Sequence, residues 1–186
     1  MKDETLKLEE GQQVVYLAGG CFWGVEKLCS MIPGVVSATS GYANGTVEHP
    51  SYEMVKQQLT GARETVRVVY NTKLVNTETI LHAYFHVVDP TVTNKQWHDS
   101  GTQYQAGLYY TDDKTRRIIE YMCNEEKKKT DVFCIEVCEL VNFYDAEEYH
   151  QKYLVKNPDG YCHITPGKMK TAIETVDSIP DSELYK

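Results

Sequence analysis

Short apolar strands alternate with amphipathic helices along this chain of 186 residues, and this alternation limits the folds that the chain can adopt. Residues 14–17, 35–42 and 64–70 have the pattern of half-buried strands, whereas residues 21–31 and 77–88 have the apolar spacing of helices. The strands are short, and several of the loops between them are long and polar. We therefore expect an α+β fold, in which helices pack against a mixed or antiparallel sheet, rather than a doubly wound parallel sheet.

The second half of the chain continues this alternation after a polar stretch at residues 91–102. Strands and helices are predicted in turn at residues 103–110, 112–129, 132–140 and 145–155. A polar loop of this length between regular elements is a plausible binding rim.

The length and composition fit one globular domain that spans residues 1–186. Its core is predicted from about residue 12 to residue 164, and residues 165–186, which lack periodicity, are predicted to be a C-terminal tail. The chain carries 19 basic and 27 acidic side chains, a net charge of −8, and no basic run is interleaved with aromatic residues. Nucleic acids and membranes are therefore not expected as partners.

The cysteine usage favours reduced thiols. Residues 1–13 lack the apolar core of a signal peptide, so a cytoplasmic protein is expected. Cys29 and Cys123 lie on the apolar faces of predicted helices. Cys134 and Cys138 are four residues apart on a predicted strand, about 13 Å from each other, which is too far for one disulfide or one zinc ion. We expect these four thiols to be structural and predict no metal site.

Cys21 lies in a different setting, in the run Leu17-Ala18-Gly19-Gly20-Cys21-Phe22-Trp23-Gly24, where a predicted strand meets a helix. The positive end of a helix dipole favours a thiolate, so a lowered pKa is expected for Cys21. Phe22 and Trp23 are suited to wall an apolar pocket. An inert buried cysteine in a turn is the alternative. A phosphate-binding loop is excluded, because Val25-Glu26 stands where Lys and Ser/Thr are required.

Cys162 is the second thiol with a distinctive setting. It lies in a loop rich in Pro, Gly and Tyr near the C-terminus, with no apolar periodicity around it. A thiol on a mobile segment can reach another sulfur atom, so Cys21 and Cys162 have the parts of a redox relay. Spacing alone leaves this pairing open.

Several blocks of the chain, taken in order, resemble the peptide methionine sulfoxide reductase A family. The run around Cys21 is similar to the family signature, and further matches are Gly41-Tyr42-Ala43, Pro50-Ser51-Tyr52-Glu53, residues 61–70, Asp89-Pro90-Thr91, and residues 99–104, 146–154 and 157–162. The resemblance covers roughly residues 14–164. It implies a ferredoxin-like two-layer α+β core that works without a cofactor.

The resemblance also implies an activity, the reduction of the S epimer of methionine sulfoxide, free or in proteins. Cys21 would be the nucleophile and would become a sulfenic acid. Glu64 would be the general acid, provided that an apolar pocket raises its pKa; from the residues alone, an exposed carboxylate at a strand end is the alternative. Cys162 would resolve the sulfenic acid as a disulfide, which thioredoxin or dithiothreitol would reduce. A monomer is expected.

The remaining expected site residues would bind the substrate. Tyr42 and Tyr104 match family tyrosines whose hydroxyls hydrogen-bond the sulfoxide oxygen. Phe22 and Trp23 would hold the methyl group, and Asp99 would have a positioning role.

Three segments depart from the usual family pattern. Gly61-Ala62-Arg63-Glu64, Gln96-Trp97-His98-Asp99 and Gln103-Tyr104-Gln105-Ala106 stand where Gly-His-x-Glu, Gln-Gly-Asn-Asp and Gln-Tyr-Arg-Ser are usual. None of these changes removes a proposed catalytic group. Trp97 adds bulk and His98 a titratable ring to the rim loop, so these residues are expected to alter the size or the pH range of accepted substrates. The ending Tyr161-Cys162-His163-Ile164 resembles the subgroup with one C-terminal resolving cysteine, which is also common in fusions to the B-type reductase.

Two other function classes stay open from the residues alone. A non-catalytic domain would bind methionine-containing peptides in the same aromatic pocket. A Cys-His peptidase would use His82, His86 or His150, but no local signature supports it. Intact Cys21 and Glu64 favour the reductase.

Overall fold

The computed structural model describes residues 2–176. In this part of the chain the elements follow in the order β1 (Gln12–Ala18), α1 (Phe22–Ser30), β2 (Val35–Ala43), α2 (Tyr52–Lys56), β3 (Arg63–Asn71), α3 (Thr77–Val87), β4 (Lys95–Gln96), β5 (Asp99–Ser100), β6 (Gly107–Tyr110), α4 (Asp113–Lys127), β7 (Glu136–Glu139), β8 (Phe143–Asp145), α5 (Tyr153–Lys156) and α6 (Pro166–Val176). A single 3₁₀ turn, Thr102–Tyr104, precedes β6.

Six strands form one mixed sheet in the order β7-β6-β1-β3-β2-β8. The pair β6 and β7 is parallel, and the other neighbours in this sheet are antiparallel. The elements β1, α1, β2, β3, α3 and β6 form a β-α-β-β-α-β unit whose strand order, β6-β1-β3-β2, is ferredoxin-like. The predicted α+β fold, a mixed sheet packed by helices, is confirmed.

The alternation along β3 divides its side chains between two cores. Val66, Val68 and Tyr70 point into the main core, and Val69 joins a smaller cluster on the opposite face of the sheet. Glu64 follows the same alternation as Val66, so it lies on the face of the main core. The alternation of side chains along β3 therefore places the carboxyl group of Glu64 on the apolar face of the sheet.

The N-terminal segment covers part of the opposite face, although the predicted core begins only at residue 12. Leu6 packs against the smaller cluster. The buried carboxylate of Asp3 accepts hydrogen bonds from Arg67 Nη1 at 2.9 and 3.0 Å and from the hydroxyl of Tyr16 at 2.8 Å. Asp3 can therefore be buried in the folded domain, because Arg67 pairs with its carboxylate and donates hydrogen bonds to it.

The prediction of a C-terminal tail from residue 165 is wrong for residues 166–176. These residues form α6, which packs against α3 and buries Met169, Ala172 and Val176. The spacing of these three residues is that of one helix face. The rest of the predicted tail, residues 177–186, lies outside the described residues.

Three further predicted elements are shorter in the structure. The strand predicted at residues 103–110 is confined to β6, because residues 102–104 form the 3₁₀ turn. The strand predicted at residues 132–140 is confined to β7, because the backbone N–H of Cys134 bonds instead to the carbonyl of Pro90. The helix predicted at residues 145–155 is confined to α5, because Lys152 adopts a left-handed conformation with φ of 52°. Within residues 2–176, no helix is long and apolar enough to cross a membrane.

Candidate active site

Cys21 lies between the end of β1 and the first turn of α1, where it is the N-cap residue and only 7% exposed. Gly20 before it has φ of +78°, and a Cβ atom there would lie 2.7 Å from Gln96 Cβ and 3.1 Å from His163 Nε2. Glycine is needed here for both conformation and packing. The turn therefore holds the thiol at the start of the helix, as the sequence predicts.

The predicted lowering of the Cys21 pKa is wrong. Burial raises the pKa of the Cys21 thiol well above its ordinary value, and the negative charge of Glu64 acts in the same direction. The backbone N–H of Trp23 opposes them without outweighing them. A helix terminus stabilises a nearby charge by about 1 kcal/mol, which is less than the cost of removing a thiolate from water.

Glu64 lies on β3 directly opposite Tyr42 of β2 and is 2% exposed. Its Oε2 accepts a hydrogen bond of 3.1 Å from the backbone N–H of Phe22. Burial raises the pKa of Glu64 to about 8, against the opposing effect of this N–H, and the charge of Asp99 adds to the rise. The carboxyl group therefore holds its proton at neutral pH, close to the first turn of α1 and to Cys21.

Two tyrosines have their hydroxyls in the electrostatic field of Cys21 and Glu64. Burial, followed by the charges of Glu64 and Cys21, raises the pKa of Tyr52 to about 12. The pKa of Tyr104 rises for similar reasons, with burial first and Glu64 second. Tyr104 was expected here, whereas Tyr52 was not. The sequence could have pointed to Tyr52, because it belongs to the family-like block that begins with Pro50 and directly follows the helix-capping Ser51.

Tyr42, which was expected to hydrogen-bond the sulfoxide oxygen, has its hydroxyl bound to another side chain. It is 1% exposed, and its hydroxyl donates a 2.7 Å hydrogen bond to Glu147 Oε2. The other oxygen of Glu147 accepts a 2.8 Å hydrogen bond from the backbone N–H of Tyr52. Tyr42 is therefore a supporting residue, connected through Glu147 to the start of α2, and its hydroxyl is already engaged.

Phe22 and Trp23 form an aromatic wall with residues of the 145–156 segment. Phe22 is buried, and its ring centroid lies 5.0 Å from that of His150. Trp23 donates a 3.1 Å hydrogen bond from Nε1 to His150 Nδ1 and stacks on Tyr153 with ring centroids 3.6 Å apart. His150 is thus a structural partner of the wall, a role that no local sequence pattern indicates.

Asp99 lies at the end of the β4-β5 hairpin, beside the segment that carries Cys162. Its Oδ1 accepts a 3.0 Å hydrogen bond from the Tyr161 hydroxyl, and its Oδ2 lies 3.6 Å from His163 Nδ1. The charge of Asp99 raises the pKa of Cys21 and of Glu64, as a secondary effect after burial. Asp99 therefore lies close to Cys21 and Glu64.

Cys162 is half-buried and lies against the first turn of α1. A Cβ atom on Gly24 would lie 3.1 Å from Cys162 Sγ, so glycine at this position allows the approach. The thiol donates a 3.0 Å hydrogen bond to the carbonyl of Ile164, and burial raises its pKa. The structure thus brings Cys162 and Cys21 to the same helix terminus.

The other cysteines lie apart from this site. Cys29 and Cys123 are buried in the core, as predicted. Cys134 is half-buried in a loop rather than on a strand, and Cys138 is exposed on β7. Across residues 2–176, no three His, Cys, Asp or Glu side chains come together as a metal site would require.

Comparisons with known proteins agree with this geometry. The family model described as "Peptide methionine sulfoxide reductase" matches residues 13–179. Peptide methionine sulfoxide reductase MsrA of Lachnoclostridium phytofermentans is 51% identical over 153 residues, which are 82% of this chain and 92% of that protein. The protein of the same name from Clostridium acetobutylicum is 48% identical over 84% of this chain and 97% of its own.

Solved structures show the same fold. Mxr1 of Saccharomyces cerevisiae in reduced form has a TM-score of 0.81 and 34% identity, over 88% of this chain and 97% of that one. Methionine sulfoxide reductase A of Corynebacterium diphtheriae has a TM-score of 0.73 and 33% identity, over 85% of this chain and 81% of that one. The chain therefore belongs to the peptide methionine sulfoxide reductase family, and it is an oxidoreductase that carries out thiol-dependent reduction of methionine sulfoxide.

Proposed function

We propose that Cys21 takes the oxygen atom directly from the S epimer of methionine sulfoxide, free or in proteins. The observation that carries this proposal is the burial of Glu64 beside the buried thiol of Cys21, which raises the pKa of Glu64 to about 8. A sulfoxide oxygen is a poor leaving group until it is protonated, so the reaction needs both an acid and a soft nucleophile. Both groups are present at one helix terminus.

The first step balances as sulfoxide plus thiol giving sulfide plus sulfenic acid. Glu64 protonates the sulfoxide oxygen while Cys21 Sγ attacks the substrate sulfur, forming an S–S bond that breaks again as the hydroxyl group passes to Sγ. The S–O bond of the substrate breaks, an S–O bond forms on Cys21, and the thiol proton restores the acid form of Glu64. Cys21 is oxidised to the sulfenic acid, and the substrate leaves as methionine.

Substrate contacts are assigned to the groups that surround Cys21. Tyr52 and Tyr104 hold the sulfoxide oxygen through their hydroxyls, because both lie in the field of Cys21 and Glu64. Phe22 and Trp23 enclose the methyl group. Asp99 positions the groups around the sulfur through its contacts with the segment that carries Cys162.

The second step is resolution by Cys162. The Cys21 sulfenic acid condenses with the Cys162 thiol, giving a disulfide and one water molecule. A dithiol of the thioredoxin class then reduces the disulfide by thiol exchange, so the cycle needs no metal or bound cofactor. Support comes from the position of Cys162 Sγ against Gly24 in the first turn of α1. We further propose a monomer that acts in the cytoplasm.

The test uses the purified protein with the S and R epimers of N-acetyl-methionine sulfoxide and dithiothreitol. We expect consumption of the S epimer alone, loss of turnover in Cys21→Ser, and normal turnover in Cys138→Ser, the matched change at an exposed thiol. No turnover by the unmutated protein, or equal turnover by Cys21→Ser, overturns the proposal. If the protein were instead a non-catalytic peptide binder, the unmutated protein would show no turnover.

A further inference from the structure

The tip of the hairpin beside Cys21 carries a bulky residue in a backbone conformation that such residues rarely adopt. Gln96 of β4 pairs with Asp99 of β5, which leaves Trp97 and His98 as a two-residue turn. Trp97 has φ of +53°, in the left-handed region that glycine and asparagine adopt most easily. The turn therefore bears a steric cost that a smaller residue would avoid.

The Trp97 side chain gains little from burial in return for this cost. It is 58% exposed, and the ring of His98, with its centroid 6.0 Å away, belongs to an exposed residue. Exposed tryptophan is uncommon outside binding surfaces, where its large ring contributes more binding energy than most side chains. A contact with another molecule explains why the turn carries it.

One strand of the hairpin is fixed firmly beside the nucleophile. Gln96 is fully buried, and its amide exchanges two hydrogen bonds with the backbone of Asp89, at 3.0 and 2.8 Å. Its Cβ packs against Gly20, the residue before Cys21. The turn that follows Gln96 is therefore held close to Cys21 by a rigid base.

The other strand of the hairpin brings a second exposed aromatic residue to the same place. Asp99 accepts the hydrogen bond of the Tyr161 hydroxyl, and the Tyr161 residue is 47% exposed. Trp97 is two residues from the same Asp99. We refer to Trp97 and Tyr161 together as the aromatic rim.

We propose that the aromatic rim binds apolar residues that flank methionine sulfoxide in a peptide or an unfolded protein. This rests on the proposed function. Cys21 is 7% exposed, so a substrate side chain can reach it while the main chain of that substrate stays outside, at the level of the rim. A free amino acid has no flanking residues and gains nothing from Trp97. Apolar flanking residues are the favoured partners because Trp97 and Tyr161 present exposed ring surface. Acidic flanking residues are disfavoured by the carboxylate of Asp99 and the net charge of −8.

The first test measures kcat/KM for N-acetyl-methionine-S-sulfoxide amide and for a pentapeptide with the sulfoxide between leucines. In Trp97→Asn we expect the ratio of peptide to amide to fall about fivefold to tenfold, the range for a moderate interface contact. Asparagine tolerates the left-handed turn, so this variant should fold with an unchanged or higher Tm. An unchanged ratio overturns the proposal.

The matched control is Leu74→Asn, which also removes an exposed apolar side chain. Leu74 follows the far end of β3, about 23 Å along the strand from Glu64. The ratio should be unchanged in this variant. An equal fall in both variants overturns the proposal, because it assigns the effect to general loss of apolar surface.

A second test does not depend on turnover. In Cys21→Ser protein, the leucine-flanked peptide should reduce quenching of tryptophan fluorescence by acrylamide more than the amide does. This excess protection should vanish when Trp97→Asn is added, because the other tryptophan, Trp23, faces the methyl group of both substrates. Protection with no turnover in the unmutated protein would overturn the proposed function and support the rim. Turnover without protection would support the proposed function and overturn the proposal for the rim.

Discussion

Glu64 Oε2 accepts a 3.1 Å hydrogen bond from the backbone N–H of Phe22, the residue that follows Cys21. This contact ties the carboxyl group to the first turn of α1, so the proposed acid and the proposed nucleophile lie close together. The N–H favours the ionised carboxylate, yet burial has the larger effect and raises the pKa to about 8.

The rate of oxygen transfer should therefore change its pH dependence near pH 8. Each pH unit above that value lowers the protonated fraction of Glu64 tenfold. In a plot of log rate against pH, the slope above pH 8 should therefore be lower by one than the slope below pH 8. Glu64→Gln should lack this bend and be slower by about 10²–10⁴-fold. Single-turnover reduction of N-acetyl-methionine-S-sulfoxide between pH 6 and 9.5 measures both, and parallel profiles would remove Glu64 as the acid.

The same carboxyl group should lower stability as the pH rises. Its folded pKa of about 8 lies above the ordinary value of 4.5, so the folded state binds more protons between these values. Its stabilising effect is complete below pH 4.5 and is lost toward pH 8. At pH 8, Glu64→Gln should raise the free energy of unfolding by about 1–3 kcal/mol. Urea titrations at pH 4.5 and 8 test this, with the exposed Glu10→Gln as a control that should change little.

Tyr52 and Tyr42 should respond differently to loss of the hydroxyl. Tyr52→Phe should lower kcat/KM about tenfold or more, since its hydroxyl lies in the field of Cys21 and Glu64. Tyr42→Phe removes only a hydrogen bond to Glu147 and should cost about 1 kcal/mol of stability with a small kinetic effect. Steady-state kinetics and urea denaturation of both variants separate these roles. The reverse pattern would restore the original assignment of Tyr42.

Cys162→Ser should stop the cycle after one turnover when thioredoxin is the reductant. Without the Cys162 thiol no disulfide with Cys21 forms, although one equivalent of sulfoxide should still be reduced. Cys138→Ser, at an exposed thiol, should recycle normally. Mass spectrometry of peptides after sulfoxide treatment identifies the paired cysteines directly. Normal recycling by Cys162→Ser would show that another thiol resolves the sulfenic acid.

Met169→Ala should destabilise the domain by about 2–4 kcal/mol, because α6 buries this side chain against the core. Met31→Ala provides the comparison, since Met31 is exposed at the end of α1 and should change stability by about 0.5 kcal/mol or less. Chemical denaturation measures both. Equal effects would mean that α6 adds nothing to the stability of the fold.

Local patterns predicted the elements whose stability comes from alternation or from apolar spacing. The strand around Val66 and the helix after the capping Asn76 lie where their sequences place them. The capping Asp112 likewise marks the start of α4. These signals depend only on neighbouring residues, so they can be read from the chain itself.

Elements that depend on distant partners could not be predicted in this way. The backbone N–H of Lys152 donates to both oxygens of Glu26 on α1, at 2.9 and 3.0 Å, and the chain there turns rather than forming a helix. The raised pKa of Cys21 depends in the same manner on burial and on Glu64 across the sheet. No sequence pattern within a few residues of Lys152 or Cys21 indicates these contacts.

The segment that carries Cys162 is held at both ends, by α5 before it and by α6 after it. A short loop with two fixed ends explores a small volume, so in the proposed cycle the Cys162 thiol would meet a Cys21 sulfenic acid at an effective concentration of about millimolar or more. Small thiols in solution must exceed that concentration to capture the sulfenic acid first. In that proposed cycle, the helix that packs after Cys162 would limit mixed-disulfide formation between the oxidised cysteine and small thiols.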